Sequence, residues 1–224
     1  MRETLRAALT IYAKDVRLEL RTRETLFSVL AFALVVAFIF TFAFEPSPQL
    51  IASIGPGIVW VAYIFTAVLG MNRTFLLEHE RGTLDGLRLA PVPREALYLG
   101  KLLSVVTLLV TVEALMLPAF LVLYDLSLFN VWFIAIAVAA TVGIAAVGTL
   151  FSAIAVHTRA REVLLPILFL PVALPLLIGA VTGSREALDG EGWSGMGGWL
   201  QLIVAFDIVF LVLSSLVFEY VLEE

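Results

Sequence analysis

Cysteine is absent from this 224-residue sequence, and charged residues are scarce. Without a thiol the chain cannot form a disulfide, a thiolate metal site, a Cys-x-x-Cys-His attachment sequence or a cysteine nucleophile. Only 15% of the residues are charged, the net charge is -5, and the basic residues do not form a stripe. Nucleic-acid binding needs such a stripe, so this class of protein is excluded.

The sequence also lacks the motifs of several catalytic classes. ATP hydrolysis requires a phosphate-binding loop, Gly-x-x-x-x-Gly-Lys-[Ser/Thr], but Gly100-Lys101 is followed by Leu102, and Glu95 occupies the position of the first glycine. No paired-carboxylate motif, nucleophile elbow or metal-binding motif is present either. We therefore expect a non-catalytic chain whose ATP-driven motor, if it has one, is a separate polypeptide.

Long apolar runs dominate what is present. Hydrophobic residues make up 61% of the chain, and the mean hydropathy is +1.04. A helix needs roughly 20 apolar residues to cross about 30 Å of hydrocarbon while satisfying its own backbone hydrogen bonds. The stretches that qualify are residues 26–44, 57–77, 102–123, 131–156, 163–183 and 200–218. The sequence predicts an all-α polytopic membrane protein with six transmembrane helices in a single membrane domain.

Positive charge is distributed unequally between the two sides of these spans. Of the 14 Lys and Arg residues, all but Arg185 lie before span 1, around the connection of spans 2 and 3, or between spans 4 and 5. Positively charged loops stay in the cytoplasm, so both termini are predicted to be cytoplasmic. Trp60, Trp132 and Trp199 then fall near outer span ends, where an aromatic belt is expected.

The segment before span 1 has its own pattern. Leu5, Leu9, Tyr12, Val16 and Leu20 recur at helical spacing, and basic residues occupy the other faces. Residues 1–25 are therefore predicted to form an amphipathic helix on the cytoplasmic membrane surface. A solvated basic tail is the alternative.

Two acidic residues are predicted inside the membrane. Glu113 lies about 16 Å into span 3 and Asp207 about 11 Å into span 6, at a rise of 1.5 Å per residue. An unpaired carboxylate is costly there, so each is expected to be protonated or to bond a group such as Thr107, Thr111 or Ser214 on a facing helix. Interhelical stabilisation is the favoured interpretation, and a polar gate or proton-linked site is the alternative.

Small residues and prolines mark spans 4 and 5. In span 4, Ala135, Ala139 and Gly143 recur every four residues and allow close helix packing, either within one bundle or with a second copy. In span 5 three prolines predict a kink and a broken or re-entrant segment near the outer side; they are Pro166, Pro171 and Pro175.

Outside the membrane, the predicted periplasmic loop 184–199 contains Trp193 and several glycines. It is expected to be either a flat partner surface or a flexible polar connection.

The most distinctive stretch is the cytoplasmic connection between spans 2 and 3, residues 78–101. Thr83 can cap a short helix with a leucine-rich side, and Pro91 ends that helix. A second short helix from Arg94 is predicted to lead into span 3. A compact charged helix below the membrane can act as a lever through which a soluble motor moves the spans.

This connection resembles the coupling-helix region of six-span ABC exporter permeases. The shared pattern is Glu-x-Glu-x-Gly-Thr-Leu-x-x-Leu-x-x-x-Pro, followed by Leu-x-x-Gly-Lys. The resemblance implies two copies of the chain per complex and an interface with an ATP-binding subunit. The residues assigned to that interface are Glu78, Glu80, Arg81, Gly82, Thr83, Leu84, Leu87 and Pro91. An ordinary amphipathic inner loop is the alternative.

Two further stretches, residues 148–166 and 205–224, resemble the CcmB family of haem exporter permeases, and length and span number agree with that family. The resemblance implies a bacterial cytoplasmic-membrane complex with a CcmA-like ATPase that binds ATP, a CcmC-like haem-handling membrane protein and a small CcmD-like subunit. It further implies delivery of haem to a periplasmic chaperone for c-type cytochrome assembly. Haem enters as a substrate, and no bound cofactor or metal is expected.

Haem ligation by this chain is not expected. Its two histidines, His79 and His157, both fall at predicted cytoplasmic span ends, and no cluster of ligands indicates another metal.

Three functions therefore remain open. The first is a permease that couples ATP hydrolysis by a partner to movement of the spans. The second is a mechanical remodeller that releases the haem chaperone from a haem-handling partner without conducting haem. The third is an ion-coupled carrier that uses Glu113 and Asp207. A membrane-embedded enzyme is disfavoured because the catalytic motifs are missing.

Overall fold

The computed structural model describes residues 2–44, 48–80, 93–124, 130–156, 158 and 160–221, and every regular element in them is an α-helix. The helices are α1 (Arg2–Thr22), α2 (Glu24–Phe44), α3 (Pro48–Glu80), α4 (Arg94–Tyr124), α5 (Val131–Ala155), α6 (Arg161–Leu188) and α7 (Gly192–Val221). Each helix from α2 to α7 is long and apolar enough to cross a membrane. The six predicted spans and the all-α polytopic fold are confirmed.

Helix α5 lies at the centre of the bundle. It packs most extensively against α6 and α7 and also contacts α3 and α4. Its residues 143–150 are all buried and mostly small, which lets neighbouring backbones approach closely. Gly148 packs against Met71 of α3, and Gly143 packs against Leu176 of α6 and Asp207 of α7. At Gly143, the small-residue surface predicted for span 4 is therefore used within one chain.

Side-chain contacts identify the helix ends that lie together. At one end, Arg73 near the end of span 2 pairs with Glu24 at the start of α2 over 3.3 Å. We call this end, which also carries α1 and the start of α4, the basic end. At the opposite end the Asn130 side chain, just before α5, donates to the Ala187 carbonyl of α6 over 2.9 Å. The spans therefore alternate in direction.

The prolines of α6 do not interrupt it. The helix is continuous over 28 residues with Pro166, Pro171 and Pro175 inside it, so the predicted break or re-entrant segment is wrong. Membrane helices tolerate proline because neighbouring groups and local adjustments re-satisfy the freed carbonyls. One face of α6 is also held by packing, since its residues Leu165, Phe169, Ala173, Leu176 and Ala180 are fully buried.

The connections outside the membrane are shorter than predicted. Helix α6 continues to Leu188 and α7 begins at Gly192, so the predicted loop 184–199 is helical except for residues 189–191. The positive φ of Gly190 (84°) and Gly192 (59°) forms this tight turn, a conformation that glycine adopts without a steric cost. Likewise, the short helix predicted from Arg94 is continuous with span 3. Hydropathy marks the apolar part of a helix and not its polar ends.

The tryptophans do not all form a lipid-facing belt. Trp132 and Trp199 are half-buried at the opposite end, where Trp199 Nε1 donates to Glu186 Oε1 over 3.2 Å. Trp60 is only 2% exposed, and its Nε1 donates to Ser184 Oγ over 2.9 Å. Trp60 is therefore a core residue that joins α3 to α6.

Helix α1 packs along the first turns of α4. Its buried residues are Ala8 and Ile11, whereas Leu5 and Leu9 of the predicted apolar stripe are exposed. Gly100 allows the close approach, because a Cβ there would lie 2.8 Å from both the Ala8 carbonyl oxygen and Ile11 Cβ. The helix thus has one side against the protein and a separate leucine-rich side, as an interfacial helix would require.

We predict that Gly100→Ala destabilises the protein by about 1–3 kcal/mol, because the added methyl group meets the backbone of α1. The control is Gly198→Ala in α7, where an added Cβ has no neighbour within 4 Å. That control should gain up to about 1 kcal/mol from helix propensity. Thermal unfolding in mild detergent measures both variants, and equal melting temperatures would contradict the proposed packing.

Candidate coupling region and intramembrane polar network

The predicted coupling residues occupy the end of α3 and the stretch of sequence between α3 and α4. Glu78 and Glu80 belong to the last turn of α3. The remaining predicted interface residues lie outside the described residues; they are Arg81, Gly82, Thr83, Leu84, Leu87 and Pro91. The described flanks of this segment therefore define how it is attached to the membrane domain.

Both flanks are continuous with membrane spans. Helix α3 extends beyond the apolar span Ser53–Arg73 to Glu80, which at 1.5 Å per residue adds about 10 Å. Helix α4 begins at Arg94 and runs without interruption through its own span. The segment between them is therefore attached at both ends to a spanning helix.

The base of α4 is anchored in the bundle. Most of its residues from Ala96 to Leu102 are buried. The Tyr98 hydroxyl donates to the Ala146 carbonyl of α5 over 3.4 Å, and its ring lies 5.3 Å from that of Phe218 in α7. The base of α4 is therefore in contact with both the central helix and α7.

A buried ion pair attaches α1 to the same base. Lys101 Nζ lies 2.9 Å from Asp15 Oδ2, and the Lys101 side chain is only 1% exposed. Lysine is almost never buried without a partner, and removing one member of a buried pair is strongly destabilising. The sequence alone places Lys101 at the end of the cytoplasmic connection and does not indicate this ion pair. The overlooked signal was Asp15, four residues after Ile11 on the side of α1 that packs against the protein.

Glu113 belongs to a hydrogen-bonded group that joins three helices. The Thr141 hydroxyl of α5 donates to Glu113 Oε2 of α4 over 3.2 Å, and Tyr63 Oη of α3 lies 2.7 Å from Thr141 Oγ1. Since Thr141 has one hydroxyl proton, Tyr63 donates to Thr141. Of the partners suggested from sequence, Thr107 and Thr111 are on α4 itself and donate to carbonyls one turn earlier.

Asp207 contacts the same central helix from α7. The residue is 7% exposed, and no group among the described residues bonds its Oδ1. This oxygen lies against Gly143, where a Cβ would overlap it. Thr107 and Thr111, the suggested groups on the facing helix α4, donate to carbonyls of α4 itself. Both intramembrane acids are thus packed against α5.

No group of three metal-ligating side chains occurs in the part of the chain that the structure describes. His157 and the side chain of His79 lie outside that part.

Six spans that alternate in direction define a polytopic α-helical membrane protein. Comparison with known proteins gives the family. A sequence model of the CcmB protein family matches residues 6–223, almost the whole chain. The chain belongs to the CcmB family, which confirms the resemblance noted from its sequence.

Curated relatives agree with this assignment. Heme exporter protein B of Rhodobacter capsulatus is 32% identical over 183 residues, which cover 80% of this chain and 83% of that protein. The protein of the same name from Bradyrhizobium diazoefficiens is 25% identical over 209 residues, covering 93% of each chain. That of Paracoccus denitrificans is 31% identical over 178 residues, covering 79% of this chain and 82% of the relative.

Substitutions at Glu113 and Thr141 test whether their hydrogen bond stabilises the bundle. If it stabilises the bundle, Glu113→Gln should be tolerated, because the amide oxygen still accepts from Thr141. Glu113→Ala and Thr141→Val should each cost about 1 kcal/mol, and the double variant should cost less than the sum because one bond is lost twice. Thermal unfolding measures stability, and complementation of cells that lack the protein measures function. Loss of function in a stably folded Glu113→Gln variant would contradict the structural role.

Proposed function

We propose that this chain is the permease subunit of an ABC-type haem exporter complex that serves c-type cytochrome biogenesis. Its curated relatives bear the name heme exporter protein B, which supports haem as the substrate. The observation that carries the coupling role is the attachment of the segment between Glu80 and Arg94 to two uninterrupted spanning helices.

In this proposal a separate CcmA-like subunit binds and hydrolyses ATP. Closure of that subunit pushes on Glu78, Glu80 and the segment that follows. Helices α3 and α4 carry the displacement into the membrane, because a continuous helix is stiff along its axis. The Lys101–Asp15 pair makes α1 follow the base of α4, and Tyr98 passes the motion to α7.

The outer faces of the bundle offer surface for further subunits. Helices α2 and α7 are the least buried spans, and both expose large apolar side chains, among them Phe38 and Phe42 on α2 and Ile208 and Val212 on α7. In a membrane such faces contact lipid or other spanning helices. We assign them to a second copy of this chain and to CcmC-like and CcmD-like partners in the bacterial cytoplasmic membrane, with both termini in the cytoplasm.

The mechanical alternative is supported by the tight interior. The cavity beside Glu113, Tyr63 and Trp60 has a volume of about 10 Å³, enough for at most one water molecule. Haem cannot pass there in this conformation. Conduction would need an interface between subunits or a rearranged bundle, whereas remodelling of a haem-handling partner needs neither.

The ion-coupled alternative has less support. Glu113 is engaged by Thr141, Asp207 is packed against Gly143, and the small cavity beside Glu113 holds at most one water molecule. Both acids are better explained by helix packing around α5.

Association with the ATPase is the direct test of the coupling role. Purification of the wild-type chain in mild detergent should recover an ATP-binding subunit in stoichiometric amounts. Glu80→Arg and Gly82→Leu should each reduce that recovery at least about tenfold, equivalent to roughly 1.4 kcal/mol of binding free energy.

Glu191→Arg, in the turn between α6 and α7, is the matched charge-reversal control and should leave recovery unchanged. A fully active chain that purifies alone would contradict the exporter assignment.

A vesicle experiment separates conduction from remodelling. Sealed vesicles containing the whole complex and ATP are assayed both for haem movement across the membrane and for release of the haem-loaded chaperone. A conduit predicts ATP-dependent haem movement even without chaperone. A remodeller predicts ATP-dependent chaperone release with no net haem movement.

A further inference from the structure

A large cleft opens at the basic end between α1, α2 and α4. Its volume is about 1230 Å³, above the roughly 300–1,000 Å³ of ordinary small-molecule pockets. Helix α1 forms one side, the first turns of α2 form another, and Ser104 to Thr111 of α4 form a third, with Gly70 of α3 also in its lining. The function proposed above does not use this cleft.

Part of the lining is apolar and open to the surroundings. Leu9 and Leu20 of α1 and Phe27 of α2 line the cleft and are 48%, 65% and 61% exposed. Leu26 of α2 and Leu108 of α4 complete this wall. In a chain that spans a bilayer, such a surface beside two spanning helices is suited to lipid acyl chains.

The α1 side of the cleft also carries positive charge. Arg17 and Arg21 are exposed, line the cleft and lie one helical turn apart on α1, with Arg6 on the same face. None of these three arginines takes part in an ion pair within the described part of the chain.

The acids nearby are already engaged. Asp15 pairs with Lys101, and Glu19 Oε1 accepts the Leu26 backbone N–H over 2.8 Å. The guanidinium groups of Arg17 and Arg21 are therefore available to an anionic group from outside the chain, and guanidinium binds phosphate through paired hydrogen bonds.

We propose that this cleft binds an anionic phospholipid of the leaflet at the basic end, with its phosphate on Arg17 and Arg21 and its acyl chains along α2 and α4. Haem is also an apolar anion, but the described residues that line the cleft include none of the side chains that ligate haem iron, namely His, Met, Cys and Tyr. The bound lipid would fill the space between α1 and the spans, so that α1 and α4 move as one unit.

Native mass spectrometry of the purified full-length chain, with any subunits that copurify, tests the proposal. Phosphatidylglycerol and phosphatidylcholine with identical acyl chains are titrated separately. Phosphatidylglycerol should bind at least about tenfold more tightly. Arg17→Gln/Arg21→Gln should weaken its binding by about 30-fold, the effect expected of two basic residues at a membrane surface.

Two further variants keep the test decisive. Arg159→Gln/Arg161→Gln removes the same charge from another basic connection and should leave lipid binding unchanged. Thr111→Trp fills the cleft without altering any charge, at an exposed position, and should also weaken phosphatidylglycerol binding. It decides the outcome if the arginine variant fails to fold.

Three results would overturn the proposal: equal binding of both lipids, unchanged binding by Thr111→Trp, or displacement of the lipid by added haemin with a protein-bound Soret band.

Discussion

Close packing around α5 is the constraint on which the rest of the bundle depends. Lipid tails are as apolar as leucine, so spanning helices gain little from hiding apolar side chains from one another and associate through close contact. The buried run 143–150 of α5 is built from residues small enough to allow that contact on several sides at once. Because α3 and α4 lie so close to α5, they also make polar contacts with it. These contacts come from Tyr63 and Met71 of α3 and from Tyr98 and Glu113 of α4.

The same constraint explains which features could be predicted from the sequence. Span number and helical class follow from hydropathy, since a stretch of apolar residues in lipid has only one common solution. The ends of the helices could not be predicted from hydropathy, because polar residues such as Ser184 and Glu186 continue a helix beyond the hydrocarbon. The partners of Glu113 depend on which helices are neighbours, and one sequence does not contain that information. The break predicted from the prolines of α6 is wrong for a related reason. Packing against neighbouring helices stabilises a helix that its own sequence would be expected to interrupt.

The basic end likewise has features that can be predicted from the sequence and features that cannot. The predicted coupling motif is local in the sequence, so that prediction needs no knowledge of the fold. The attachment of α1 was not recognised, since Ala8, Ile11, Gly100 and Lys101 lie far apart in the chain and only the fold brings them together. Because of these contacts, the basic end is a packed assembly of helices. The contacts join the base of α4, the N-terminal helix and the C-terminal end of α7.

The Lys101–Asp15 pair also has a consequence for biosynthesis. Asp15 is translated before any span, whereas Lys101 follows α2, α3 and the coupling segment. During synthesis the Asp15 carboxylate therefore lacks its Lys101 partner until the base of α4 has been made. Docking of α1 is then a late step of insertion. It requires that α2 and α3 cross the membrane as a pair, because a single crossing would leave the two charges on opposite sides.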